Sequence, residues 1–354
     1  MKILFLTRYG QQGASSRMRF LQYIPWFESA EIECVVSPLF DDAMLLRKYQ
    51  NGGYSLLNLL SAYWWRIYTL TRINKFDLVW VEKEALPWFP AWFERWLLRR
   101  APYVLDFDDA IFHNYDLHRS AWVRRVYGRR VDRLMEGARL VIAGNLYLAN
   151  RATAAGAQQV EVVPTVVDLA RYASKQIYTV ATKPRIVWIG SPDTVRFLML
   201  VAQPLAKLAQ MQPFILRVIG GDAVMLPGVD VEKYQWSADI EATAISGCDV
   251  GIMPLGDTPW EQGKCAYKLI QYMACGLPTV SSPVGANVEV VLNNETGLFA
   301  EDAVAWVERL AVLLSNTTLR QRMGLAGRLR VEKRYSTQQV APKLIKLLKM
   351  VLER

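Results

Sequence analysis

Short apolar runs alternate along this chain with longer stretches in which apolar residues recur every three or four positions. In the first half the runs are Lys2–Thr7, Ile32–Ser37, Asp77–Glu82, Tyr103–Phe107, Arg139–Gly144 and Val160–Pro164. They are apolar on both faces, the pattern of parallel strands covered on both sides. Between them Arg17–Glu28, Leu56–Ile73 and Ser120–Glu136 carry helical periodicity. A polar, poorly periodic stretch, Asp168–Pro184, interrupts this rhythm, which restarts with Arg185–Gly190, Phe214–Gly220, Cys248–Leu255 and Leu277–Ser282. The pattern predicts an α/β chain with two Rossmann-like parallel-sheet domains, residues 1–174 and 175–337. A last helix, Gln338–Leu352, is expected to start at a Ser336 or Thr337 cap and is free to pack back on the first domain. Two such domains in one chain place a ligand in an interdomain cleft faced by strand carboxyl ends.

Composition narrows the partners. The 354 residues carry 42 Lys+Arg against 33 Asp+Glu, a net charge of +9 shared by both halves. That balance favours anionic partners such as nucleotide phosphates or lipid head groups. No nucleic-acid-binding motif accompanies it, so nucleic acid is not expected. Cys34, Cys248, Cys265 and Cys275 lack C-x-x-C spacing and read as reduced thiols of a cytoplasmic protein. With His113 and His118 the only histidines, no zinc site is expected. The opening MKILFLTRYG is interrupted too soon for a signal peptide and reads as a strand. No apolar run is long enough to span a membrane.

Three segments carry candidate chemistry. In Gly263–Val291, a short helix Tyr267–Cys275 begins beside Gly263, Lys264 and Lys268 and ends at Gly276. Backbone N–H groups at a helix start attract anions, and two lysines add charge suited to a diphosphate. Solvated lysines on an ordinary helix–strand unit are the alternative. After the first strand, RYGQQGASSRMRF places Gly10 and Gly13 where backbone can approach a ligand, with Ser15 and Arg17 at the following helix start. This is not a dinucleotide fingerprint. At the end of the fourth strand, Asp106, Asp108 and Asp109 bring three carboxylates together. They suit either proton transfer or, alternatively, magnesium.

The run KLIQYMACGLPTV, followed by SPVGANVEVV and NETGLFA, closely resembles the donor segment of glycosyltransferase family 4 (group 1), over roughly Asp249–Ala300. That resemblance implies a GT-B fold and a retaining, metal-independent transferase that needs no cofactor. It implies a UDP- or GDP-sugar held by the second domain and a glycan or lipid-linked hydroxyl acceptor on the first. Family members carry two glutamates eight positions apart. Gln271 stands at the second, ribose-binding place, whereas counting back eight reaches Gly263. The first role, holding the donor sugar, therefore passes to Glu261. By the same resemblance Ser191 and Arg196 take the places of an arginine and a lysine at the donor phosphates. Gly13 lies under the donor phosphate, and Ser15 and Arg17 lie on the acceptor side. Asp108 replaces a histidine near the reacting sugar, and Asp109 matches the acid that follows it. Lys268 joins the catalytic set as the cation on the leaving diphosphate. Trp236 is placed near the base, or else is a core residue.

Trp64, Trp65, Trp80, Trp88, Trp92 and Trp96 crowd the stretch 54–100 together with leucines and arginines, and seven arginines lie in Arg119–Arg139. Such segments suit an anionic membrane surface, with an ordinary core edged by solvated arginines as the alternative. The resulting expectation is a hexosyltransferase of polysaccharide or cell-envelope synthesis, cytoplasmic and peripheral on the inner face of the membrane. The competing functions are a GT-B sugar-nucleotide epimerase and a membrane scaffold whose transferase site has decayed.

Overall fold

The computed structural model describes residues 1–175, 178, 183–221 and 224–353. The backbone divides into two compact units, one of Met1–Thr165 with Val340–Arg354, the other of Val166–Gln339. The division falls at 165/166 and not at 174/175. Val167 pairs with Ser336, and the Tyr172 hydroxyl accepts a hydrogen bond from Gln271, so the chain has joined the second unit before residue 174. The terminal helix Thr337–Leu352 leads from the second unit into the portion grouped with the first.

The first unit holds six parallel strands: β1 (Lys2–Thr7), β2 (Glu33–Pro38), β3 (Leu78–Glu82), β4 (Tyr103–Phe107), β5 (Leu140–Ala143) and β6 (Val160–Val162), in the order β2-β1-β3-β4-β5-β6. β1, β3, β4 and β5 are apolar on both faces because helices cover both. Phe5, Phe20, Phe27 and Trp80 interlock in their core. The second unit has β7 (Arg185–Ile189), β8 (Ile215–Ile219), β9 (Asp230–Tyr234), β10 (Val250–Met253), β11 (Thr279–Ser281) and β12 (Gly297–Phe299), in the order β12-β11-β10-β7-β8-β9. Counted within its own unit this is the 3-2-1-4-5-6 order of the doubly wound fold. Strand order reverses between β1 and β3 in one sheet and between β7 and β10 in the other. In open parallel sheets the carboxyl edge beside such a reversal is where ligands bind.

Two expected helices are broken. Arg17–Glu28 becomes Ala14–Arg19 and Ile24–Ser29, separated at Phe20 and restarted around Pro25. Proline fits a first turn, where its missing N–H costs nothing. Ser120–Glu136 becomes Ala121–Tyr127 and Arg130–Gly137. At the break, a Cβ on Gly128 would lie 2.3 Å from the Arg124 carbonyl oxygen. Among the described residues no helix is long and apolar enough to cross a membrane.

Candidate active site

In the second unit, β7 ends at Ile189, and Gly190 leads into a turn in which Ser191 precedes the short 3-10 segment Pro192–Thr194. The helix Tyr267–Ala274 docks onto the same edge. Its Tyr272 hydroxyl accepts from the Ile189 N–H at 3.0 Å and donates to the Ile252 carbonyl at 3.3 Å, so one side chain ties the helix to both strands at the order reversal. Gly251 makes room for it, since a Cβ there would lie 2.3 Å from the Tyr272 ring. Ala266, at φ 52°, turns the chain into the helix from the left-handed region, a conformation that costs an alanine energy and clusters at functional sites. No side chain caps this helix start, and no acid occupies its first turn. Lys268 does occupy it. Its ammonium lies 5.0 Å from the Trp188 ring centroid, and a Cβ on Gly190 would come within 2.8 Å of it. Glycine at 190 thus opens the space beside the lysine.

Around this point lie most of the donor-side residues expected from the sequence. Glu261 is buried, accepts a hydrogen bond from the Thr258 hydroxyl, and stands 3.9 Å from the exposed Arg196 guanidinium. Gly263 closes the short helix Pro259–Gln262, and the Lys264 ammonium sits 5.5 Å from the Trp260 ring centroid. Gln271 is buried, and its amide donates to the Tyr172 hydroxyl at 3.1 Å. Tyr172 in turn donates to Glu241, whose other oxygen accepts the Trp236 indole N–H at 2.6 Å. Burial and the neighbouring Glu241 hold the Tyr172 phenol far above its ordinary value, so it remains a donor. Trp236 is half-buried and adjoins Gly220, whose missing side chain leaves room for the Gly190 carbonyl. The carboxylate absent at 271 is therefore present at 241, one hydroxyl away.

In the first unit the carboxyl edge at the β1/β3 reversal is a nest of buried charge. Lys83 follows β3 at φ 63°, and this left-handed turn folds an otherwise solvent-seeking side chain inward. Its ammonium lies 2.8 Å from Asp108 and 3.9 Å from Asp109, and donates to the Ser15 hydroxyl at 3.3 Å. Burial opposes its charge, but Asp108, Asp109 and Glu82 outweigh burial and hold Lys83 above the usual lysine range. Burial would also raise Asp108, yet Lys83 and a hydrogen bond with Ser15 bring its carboxyl down to about 2. Asp106 faces the other way, gripped at 2.7 and 3.0 Å by Arg19; burial still pushes it up to about 6. Glu82, raised by burial, accepts from the Arg8 N–H and the Ser16 hydroxyl. The three aspartates thus split into one structural clamp and a pair held by Lys83. Among the described residues no three His, Cys, Asp or Glu side chains converge as a metal site. Lys83 was not foreseen, because a lysine in VEKE after a strand reads as solvated.

The glycine turn also differs from expectation. Asp42, about thirty residues on, accepts from the Gln11 and Gln12 N–H groups at 3.1 and 2.9 Å, so the protein's own carboxylate already takes loop amides a phosphate would use. Gly13 is buried against Tyr9. Arg17, expected on the acceptor side, is buried, and one of its nitrogens donates to the Gln11 carbonyl at 2.7 Å. It braces the turn. His113 lies between Asp116 and the Tyr147 hydroxyl at 2.7 and 2.8 Å. Arg130, counted above with the surface arginines, is buried, joining Glu84 and Glu94 beneath the segment after β3.

The comparisons agree with this architecture. A model described as glycosyl transferases group 1 matches residues 183–316, and one described as glycosyl transferase 4-like domain matches residues 38–165. HepE of Anabaena, solved in complex with UDP-glucose, superposes with a TM-score of 0.74 at 16% identity, covering 99% of this chain and 100% of that one. Sucrose-phosphate synthase of Thermosynechococcus elongatus gives 0.68 at 15% identity, covering 100% of this chain and 99% of that one. WaaG, a glycosyltransferase involved in lipopolysaccharide biosynthesis, gives 0.69 at 12% identity, covering 98% and 99%. No curated protein matches the chain by sequence. Taken together the two transferase models span most of the chain, and with the GT-B fold they identify it as a GT-B glycosyltransferase.

Proposed function

We propose that the chain moves a hexosyl group, with retention and without a metal ion, from a UDP- or GDP-sugar to a hydroxyl of a glycan or lipid-linked acceptor of the cell envelope. The observation that carries this reading is the uncapped start of the helix Tyr267–Ala274, with Lys268 beside Gly190 at the strand-order reversal of the second sheet. Backbone dipoles and a cation directed at one point stabilise charge that grows on a leaving diphosphate, and such preorganised groups are worth most in the transition state. Lys264, Arg196, Ser191 and Gly263 complete the diphosphate cradle, and Glu261 holds the sugar. Gln271 and Glu241 act through Tyr172 and Trp236, fixing the indole as a platform for the base or ribose. HepE, solved with UDP-glucose, makes a uridine donor the first to test.

On the acceptor side, Asp108 and Asp109 orient the attacking hydroxyl by accepting its hydrogen bond. The hydroxyl oxygen bonds to the anomeric carbon as the bond to the diphosphate oxygen breaks, and the hydroxyl proton leaves with the diphosphate. Asp108, held ionised by Lys83, orients and does not donate. Ser15 fixes the same pair, while Gly13 and Arg17 shape the turn under it. Thermal unfolding with UDP and UDP-glucose tests this reading, since ligands of the native state raise its melting temperature. The expected result is a rise in the presence of a chelator, abolished by Lys268→Ala, together with loss of about 100-fold or more in transfer rate. A rise that requires magnesium, or one unchanged in Lys268→Ala, overturns it.

A further inference from the structure

The helix Leu56–Leu70 is built inside out. Its only charged residue, Arg66, is 2% exposed and points into the fold, donating to the carbonyls of Thr7 and Ser37 at 2.7 and 3.0 Å. Burial draws that guanidinium down to about 10, so it keeps its charge at neutral pH. Leu59, Ala62 and Tyr63 on the inner side pack against Leu39, Phe40 and Met44. The outer side is apolar as well: Leu56, Leu57, Leu60, Trp64 and Trp65 are between 60% and 76% exposed. A helix apolar all round is normally buried on every side, and a surface helix normally turns charges outward. This one leaves leucines and indoles uncovered.

The patch continues. Tyr63 stacks on Phe89, which is followed by Phe93 and Trp96 at centroid spacings of 5.4, 5.9 and 6.1 Å, and Trp92 is also exposed. Along the segment that carries the helix the charge has one sign, although Asp41 lies near Trp65 at its edge. No acid occurs from Ala43 to Phe76, while Arg47 and Lys48 precede the helix and Arg72 and Lys75 follow it. Arg72 lies 4.1 Å from the Tyr68 ring centroid, and Arg100, over Trp96, donates to the Thr71 carbonyl at 3.2 Å. Leucines at the crest, indoles beside them and cations at both ends match the hydrocarbon, interface and phosphate layers of an anionic leaflet in turn.

We infer that the outer face of the helix Leu56–Leu70 is a docking surface for an anionic lipid bilayer, with Leu56, Leu57, Leu60 and Trp64 entering the acyl boundary and the flanking cations on lipid phosphates. This surface is independent of the transfer chemistry. The test is flotation of the full chain with vesicles of phosphatidylcholine alone or with about one third phosphatidylglycerol. Expected is binding to the anionic vesicles that weakens with salt. Leu57→Glu with Leu60→Glu should weaken it more than tenfold, and Arg72→Ser with Lys75→Ser about tenfold. Both variants should keep the melting temperature and the UDP response, since they alter exposed side chains. Absence of binding by the unmodified chain, equal binding to neutral vesicles, or full binding by the double-glutamate variant overturns the inference. So does a concentration-dependent dimer that the same variant dissolves while the unmodified chain ignores vesicles; the face then joins two copies of the chain.

Discussion

The two carboxyl edges handle charge in opposite ways. In the first unit the ionic groups are matched: Lys83 to Asp108 and Arg19 to Asp106 in buried pairs, and the half-buried Asp42 to the backbone amides of the glycine turn. In the second, cations gather at an uncapped helix start that has no acid in its first turn, and Arg196 reaches the nearest acid only at 3.9 Å. A balanced nest can hold a neutral hydroxyl in place, whereas an edge with surplus positive charge suits a diphosphate. This contrast is the electrostatic ground for the donor and acceptor sides proposed above.

The sharpest way to break this comparison is to unbalance the first nest. Lys83→Met leaves Asp108 buried and unpaired and should cost about 3–5 kcal/mol of stability in urea unfolding at neutral pH. The same pair sets an acid limb. Asp108 has a folded value near 2, below its ordinary 3.8, so its stabilisation is complete above pH 4 and is lost as pH falls toward 2. The change amounts to about 2 kcal/mol. Asp108→Asn should flatten that limb and cut transfer while leaving UDP binding intact; an unchanged limb would show that the pair is not coupled. Next in size is Gln271→Glu. It restores the family's residue but sets a second buried carboxylate across Tyr172 from Glu241, and should lower stability by about 2 kcal/mol. If the variant instead binds UDP more tightly at no cost in stability, the exchange of charge between 271 and 241 is wrong. The smallest effect expected is that of Gly190→Ala, whose methyl would crowd Thr194, Trp188 and Lys268. Calorimetry should show UDP binding weakened about tenfold, near 1.4 kcal/mol, with some loss of stability because the buried Trp188 ring must give way.

The strands of both sheets were legible because runs such as Leu78–Glu82 and Val250–Met253 are buried along their whole length. β9 was not among the strands read, since DVEKY is a polar edge strand that pairs on one side only, with β8. Helix breaks at Phe20 and Gly128 were missed because periodicity continues across them, whereas backbone dihedrals do not. The cluster proposed for the donor could be read from sequence because its residues lie within a few turns of one another, Glu261 to Gln271. The acceptor nest was not. Its partners come from β1, β3 and β4, and the inward turn of Lys83 depends on a single left-handed residue. Asp42 closing the glycine turn is likewise a long-range contact, invisible to a local reading that saw glycines open to a ligand.

Tyr272 has a wider consequence. Because its one hydroxyl bridges Ile189 and Ile252 while its ring fills the gap left by Gly251, the helix cannot slide along the sheet without breaking both bonds and opening a void. The uncapped start of the helix, with Lys268, is thereby locked in register with the loops beyond β7 and β10. Side chains on those loops can therefore be exchanged without disturbing the helix, whereas a shift of the helix would cost both hydrogen bonds at once.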